Sequence, residues 1–143
     1  MEITITIKMD ENELKNSKIK QESLVKEQKI VTSQYAKFYD ETCNTYHDKP
    51  EYNLMFLRQE QLYATDLLRV KGHLFLNEVY EMLGMPKTKV GQLVGWIYDE
   101  ENPIGDNFVD FGIKDLRLDS FTTGKQNAVL LDFNVDGVIL DRI

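Results

Sequence analysis

The residues best suited to chemistry lie near the C-terminus. Asp132-Phe133-Asn134-Val135-Asp136-Gly137 sets oxygen-bearing side chains at alternate positions, then a turn glycine, with the apolar Ile139 two residues beyond it. This is the first half of an EF-hand calcium loop. The twelfth position, where such a loop needs a bidentate Glu, is Ile143. The flanks Val129-Leu130-Leu131 and Val138-Ile139-Leu140 have the branched, apolar character of strands. A β-hairpin over Ala128–Ile143, turning at Asp136-Gly137, accounts for the same residues and puts Leu131, Phe133 and Val135 on one face. No metal and no cofactor is expected.

A second constellation has helix–turn–helix spacing. A short helix from Asn77 ends at Gly84, and Val90 follows six residues later. Lys87, Thr88 and Lys89 would open a recognition helix within 77–94, and 95–113 would form a wing. Three features oppose DNA contact there. Tyr80 stands where helices need a small residue to cross closely, Gly91 weakens the second helix, and the wing carries Asp99, Glu100, Glu101 and Asp106 toward phosphates. Nucleic acid is therefore the alternative partner rather than the expected one.

The other reactive side chains are sparse. His47 and His73 are the only histidines and Cys43 the only cysteine, so intramolecular disulfides and multi-cysteine zinc sites are excluded. His47 beside Asp48 lacks a nucleophile between them, and no carboxylate pair has recognisable acid–base spacing. Gly91 and Gly95 lack the Lys-Ser/Thr that completes a phosphate loop. An enzyme is not expected.

The elements that would position these groups follow from composition and periodicity. The chain has 143 residues, 42% of them hydrophobic and 29% charged, enough for one domain with a packed core. Net charge is −7, and residues 99–143 hold 10 of the acidic side chains against 4 basic ones. That imbalance repels phosphate and suits solubility or a basic partner. The polar stretch MEITITIK is not a signal peptide and no run approaches a bilayer span, so a cytoplasmic protein without membrane partners is expected.

Ile3, Ile5 and Ile7 alternate with threonines, which predicts an N-terminal strand. Asp10 and Glu13 resemble a capping box, and Glu11 to Tyr46 contains no Gly or Pro. Leu14, Leu24, Gln28, Val31, Tyr35 and Phe38 then fall at helical steps, predicting one long helix. Asp48 as cap and Pro50 in the first turn predict a second helix to about Val70, with Tyr52, Met55, Phe56, Leu62, Tyr63 and Leu67 inward. The two make an αα-hairpin. Further on, Leu74–Leu76 is extended, Asn77 caps a short helix to Leu83, and Thr88–Leu93 is a turn. Gly95–Tyr98 and Phe108–Ile113 would pair as a long-looped hairpin.

The reading is thus an α+β single domain over 1–143. A strand and long αα-hairpin (1–71) pack on short helices and β-hairpins forming a small, mainly antiparallel C-terminal sheet (72–143). On that hairpin Tyr35, Phe38, Tyr39 and Tyr46 crowd together, and Phe38 and Tyr39 point about 100° apart. Both are buried only if the apolar stripe is wide or a second body covers it. They form a candidate interface with Tyr39 near its centre, and the acidic loop Asp99, Glu100, Glu101 and Asp106 is the second candidate.

The segments GHLFLNEVYEMLG (72–84), VGWIY (94–98), GDNFVDFGI (105–113) and LDFNVDGVILD (131–141) resemble a family of small uncharacterised proteins from phages, prophages and conjugative elements of Gram-positive bacteria. The resemblance covers about residues 60–143 and supplies no catalytic residues. It implies an accessory role in a mobile element, such as binding a host or phage protein, while the aromatic cluster on the hairpin predicts self-association or partner binding.

Overall fold

The computed structural model describes residues 2–8, 25–115 and 129–143. Among them are two α-helices and three small sheets in which every pairing is antiparallel. Strands β1 (Glu2–Lys8) and β2 (Val25–Val31) pair with each other from Glu2 opposite Val31 to Lys8 opposite Val25. Strand β3 (Lys37–Tyr39) follows, then helix α1 (Pro50–Lys71), β4 (His73–Phe75), helix α2 (Leu76–Leu83), β5 (Val94–Ile97), β6 (Lys114–Asp115), β7 (Val129–Leu131) and β8 (Gly137–Val138). Central β7 is flanked by β3 and β6, and central β5 by β4 and β8.

The long first helix is not formed where it can be judged. Val25–Val31 and Lys37–Tyr39 are strands, so the αα-hairpin is replaced by a strand-rich stretch ahead of a single long helix. The absence of Gly and Pro permits a helix without requiring one, and tertiary pairing decides. The expected cap at Asp10 and Glu13, and Leu14 and Leu24, lie outside the described residues.

Helix α1 matches its expected span but not its expected face or cap. Pro50 occupies the first turn, where its missing N–H costs nothing. Gly72, at φ 82°, closes the helix by donating to the Leu68 carbonyl at 2.8 Å. Asp48 does not cap it. Lys49 holds the cap position, and Asn53 staples the entry loop by accepting from the His47 N–H and donating to the His47 carbonyl, both at 2.8 Å. The buried face is Asn53, Leu57, Ala64 and Leu68, each step four or seven residues. Phe56 and Leu67 are half-buried at its margin, whereas Tyr52, Met55, Leu62 and Tyr63 point away from the core.

Helix α2 starts one residue before Asn77. Its cap residue is Phe75, whose N–H is taken by the Glu78 carboxylate at 2.8 Å. Leu76, Val79, Tyr80 and Leu83 turn inward, and Gly84 at φ 72° ends it. Val90–Gln92 is only a single 3₁₀ turn.

Neither expected hairpin pairs as read. β5 pairs with β4 and β8, and Phe108–Ile113 is not a strand. β7 and β8 lie in different sheets, joined by residues 132–136. Gly137 has φ 131°, but Asp136 is not among the residues with positive φ, so a type I′ turn is excluded.

That connecting strap is what makes one core of the two sheets. Its backbone donates from Asp132 to the Phe111 carbonyl, from Asn134 to the Asp110 carbonyl and from Asp136 to the Gly95 carbonyl. Phe133 enters the core between Tyr80 and Phe111, with ring centroids at 5.9 and 5.5 Å. Trp96, Tyr39, Leu57, Leu68, Leu74 and Leu131 are also fully buried. Burying each such aliphatic side chain stabilises the fold by about 1.5–3 kcal/mol before entropy is counted.

Candidate functional site

The calcium-like residues are structural staples, each aimed elsewhere. Asp132 accepts from the Ser33 hydroxyl at 2.6 Å. Asn134 Oδ1 accepts from Trp96 Nε1 at 2.8 Å and from the Asp110 N–H at 2.7 Å, while its Nδ2 donates to Asp106 and to the Phe108 carbonyl, each at 3.0 Å. Asp136 accepts from the Ile97 N–H at 2.9 Å. Burial raises the Asp136 pKa, the Ile97 N–H lowers it, and the nearby Asp106 carboxylate raises it further. Among the described residues no group of three His, Cys, Asp or Glu is placed to hold a metal ion.

The DNA-contact residues are not presented on a recognition helix. Lys87 reaches Glu81 at 3.4 Å on the surface. Thr88 has its N–H and carbonyl held by the Asn77 amide, at 2.9 and 2.8 Å, and its hydroxyl accepts from the Gly91 N–H. Lys89 is exposed, one residue before the 3₁₀ turn. Residues 95–113 contain only one strand, so no two-stranded wing stands beside them.

Of the aromatic interface candidates, Tyr39 is 0% exposed. Its ring lies 5.7 Å from Tyr46 and 6.4 Å from Phe56, and its hydroxyl is 2.8 Å from that of Thr45. Burial raises its pKa against the lowering effect of the Thr45 bond. Tyr39 is thus a core residue and not the centre of a surface. Tyr35, Phe38 and Tyr46 are half-buried beside it. Burial likewise pushes the Tyr80 hydroxyl up to about 12, with the Lys37 ammonium 4.7 Å above its ring.

The acidic loop is built as a closed turn. Asn107, at φ 63°, accepts from the Asp99 N–H and donates to the Asp99 carbonyl, while Asp99 takes the N–H groups of Glu101 and Asn102. Glu100, Glu101 and Asp106 face solvent. Tyr98 donates to Glu100, and Asp106 is tied back to Asn134. Three acidic side chains of the four, Asp99, Glu100 and Asp106, therefore have internal partners, and the loop is a fixed feature.

The surface that stands out was not singled out from sequence as exposed. Along α1, Tyr52, Met55, Leu62, Tyr63 and Val70 are 45%, 58%, 68%, 53% and 84% exposed. At about 100° per residue these five, with Gln59 and Asp66, occupy one stripe on the side opposite Leu57, Ala64 and Leu68. The helix is apolar on two faces and only one meets the core. The segment 109–111 is laced to the helix flank: Thr65 Oγ1 accepts from the Val109 N–H at 3.0 Å and Gln61 accepts from the Phe111 N–H at 2.8 Å. Phe108, just before that segment, is 44% exposed. At the start of the helix the Tyr52 ring meets His47 edge-on and Lys49 lies over it at 5.6 Å. The signal available in the sequence was the excess of apolar residues in 50–71, more than one helix face can hold.

An open groove of about 300 Å³ lies elsewhere, between Thr42, Asn44, Glu81 and Met85–Lys87. It brings together no nucleophile and base. No helix among the described residues is long and apolar enough to cross a membrane.

The chain belongs to a family of unknown function (DUF6353), whose model matches residues 2–143. No curated protein and no solved structure matches it.

Proposed function

We propose that this chain is a non-enzymatic accessory protein of a phage or other mobile genetic element, acting in the cytoplasm by binding a protein, and that the outer face of α1 is its binding surface. The observation that carries the reading is the stripe Tyr52, Met55, Leu62, Tyr63 and Val70. Single exposed apolar residues are ordinary, but five aligned on one face of a helix, interrupted only by Gln59 and Asp66, mark a contact site. Two tyrosines within it suit an interface, burying ring area while keeping a hydroxyl wet. The accessory role rests on the resemblance carried by residues 60–143, and the −7 net charge speaks against phosphate backbones.

The test compares wild type with Leu62→Lys as bait in element-bearing host cells, with captured proteins identified and the contact rebuilt from purified components. Binding that is lost in the variant supports the reading. A partner held equally well by Leu62→Lys places the surface elsewhere. Tight, salt-dependent duplex binding abolished by Lys87→Glu with Lys89→Glu would replace it with a DNA reading.

A further inference from the structure

We infer that the occupant of the outer face of α1 is a second copy of this chain, lying antiparallel about a twofold axis near residues 60–61. The inference rests on the reading of that face as a binding surface and deepens it.

The spacing of the stripe is the first argument. Tyr52, Met55, Gln59, Leu62, Asp66 and Arg69 follow steps of three and four in alternation, the spacing at which two helices pack side by side, with apolar residues at three of the six positions and polar ones at Gln59, Asp66 and Arg69. Tyr63 and Val70 widen the seam on one edge. A twofold interface uses the same patch twice, so its two ends must complement each other. Tyr52 at one end meets Val70 at the other, Leu62 meets Gln59 across the axis, and Met55 comes opposite Asp66, a polar position that holds the contact to modest strength.

Charge is the second argument. Exposed Glu51 stands at the start of the stripe and exposed Arg69 at its end, on the same edge of the helix. Eighteen residues separate them, about 27 Å along a helix, so they cannot pair within one chain. In the antiparallel arrangement Glu51 of each copy lies beside Arg69 of the other, and Arg58 comes within a turn of Asp66. A parallel arrangement would set Glu51 against Glu51 and Arg69 against Arg69.

The area decides the strength. The five apolar side chains expose on the order of 500 Å², at the high end for the largest patch on a monomer and short of the roughly 800 Å² per partner of a standard interface. Gln59 and Asp66 within the stripe and Arg58 on its flank supply part of the difference. A reversible, micromolar dimer is the expected result.

Sedimentation equilibrium on the full chain, from low micromolar concentration to the solubility limit, tests this with three charge variants. Wild type is expected to pass from monomer to dimer. Glu51→Arg and Arg69→Glu should each weaken dimerisation about tenfold, because each turns two symmetry-related attractions into repulsions. The double variant should restore it to within about threefold. Thermal melts of the monomers check that the variants fold. A wild type that stays monomeric overturns the second-copy inference, as does a dimer indifferent to both reversals or a double variant that fails to recover. The broader reading is judged separately: a monomeric wild type that binds another protein through Leu62 keeps the surface and loses only the second copy. A monomer with no Leu62-dependent contact ends both.

Discussion

The indole N–H of Trp96 donates to Asn134 Oδ1 at 2.8 Å, across the join between the two three-stranded sheets. Trp96 is fully buried on β5, and Asn134 belongs to the strap from β7 to β8. One amide thereby satisfies the Trp96 indole, the Asp110 N–H, the Phe108 carbonyl and a carboxylate oxygen of Asp106.

Asn134→Ala is expected to destabilise the fold by about 2–4 kcal/mol, since it orphans a buried indole donor as well as removing several hydrogen bonds. The melting temperature should fall by several degrees, and the Trp96 fluorescence should report the altered contact in the folded state. Calcium should leave the melting temperature of wild type unchanged, because Asp132, Asn134 and Asp136 are turned to three different partners. A calcium-dependent rise abolished by Asp132→Ala would show that the strap rearranges into a loop.

Asp136 gives a pH signature. Its pKa is raised in the folded chain, by burial first and by Asp106 besides. The folded chain therefore holds this proton more tightly than the unfolded chain. Between the two values stability falls as pH rises, and above both the ionised carboxylate is a net cost. Asp136→Asn keeps an acceptor for the Ile97 N–H and removes the charge. It is expected to be more stable than wild type at neutral pH, with the difference closing as pH drops through the folded-state pKa of Asp136. Chemical denaturation of both proteins as a function of pH checks the sign. A gap that widens on acidification would contradict it.

How much of this was legible depended on the range of the interaction involved. Helix α1 is bounded by local devices, Pro50 in its first turn and Gly72 at its end, and both are visible in the sequence. Its inward face was not, because Tyr52, Met55, Leu62 and Tyr63 make as good a helical stripe as Leu57, Ala64 and Leu68. Periodicity detects a stripe and does not say which of two meets the core. The short strands failed for another reason. β8 opens on the glycine of an Asp136-Gly137 signal that favours a local hairpin with β7, yet β7 pairs with β3 and β8 with β5, both far away in sequence. Segments of two or three residues carry too little pattern to choose a partner. The apolar, branched character of 129–131 was readable; the partners were not.

Gly95 separates packing from backbone strain. A Cβ there would overlap the Leu74 carbonyl oxygen and come to 2.8 Å from the Phe75 Cα, both backbone atoms of neighbouring β4. Nothing flexible can yield, so Gly95→Ala is expected to cost about 3 kcal/mol, the upper part of the overpacking range. At Gly137 a Cβ meets nothing within 4 Å, but φ is 131°. Gly137→Ala should cost about 1 kcal/mol through conformation alone. Urea denaturation of the two variants is expected to rank them in that order, and the reverse order would mean that β4 and β5 are not packed this closely.

The sharpest contrast lies between two tyrosines. Tyr39 is wholly enclosed, stacked on Phe56 and beside the tilted ring of Tyr46, with its hydroxyl tied to Thr45, which in turn donates to the Leu83 carbonyl at 2.6 Å. Tyr63 is half-exposed on the outer face of α1. Tyr39→Ser removes most of a buried ring and is expected to cost about 3–5 kcal/mol, as large aromatic truncations do. Tyr39→Phe deletes only the hydroxyl and should cost about 1 kcal/mol. Tyr63→Ser takes away no core contact and should fall within about 0.5 kcal/mol of wild type. Association should show the opposite pattern. Tyr63→Ser and Leu62→Lys are expected to weaken binding through the helix while leaving the melting temperature almost unmoved, and Tyr39→Phe to leave binding intact despite its lower stability. Denaturation midpoints and binding measured on the same four variants check both halves. Should Tyr63→Ser destabilise as Tyr39→Ser does, α1 would be covered on both faces within one chain, and the outer stripe would belong to the core.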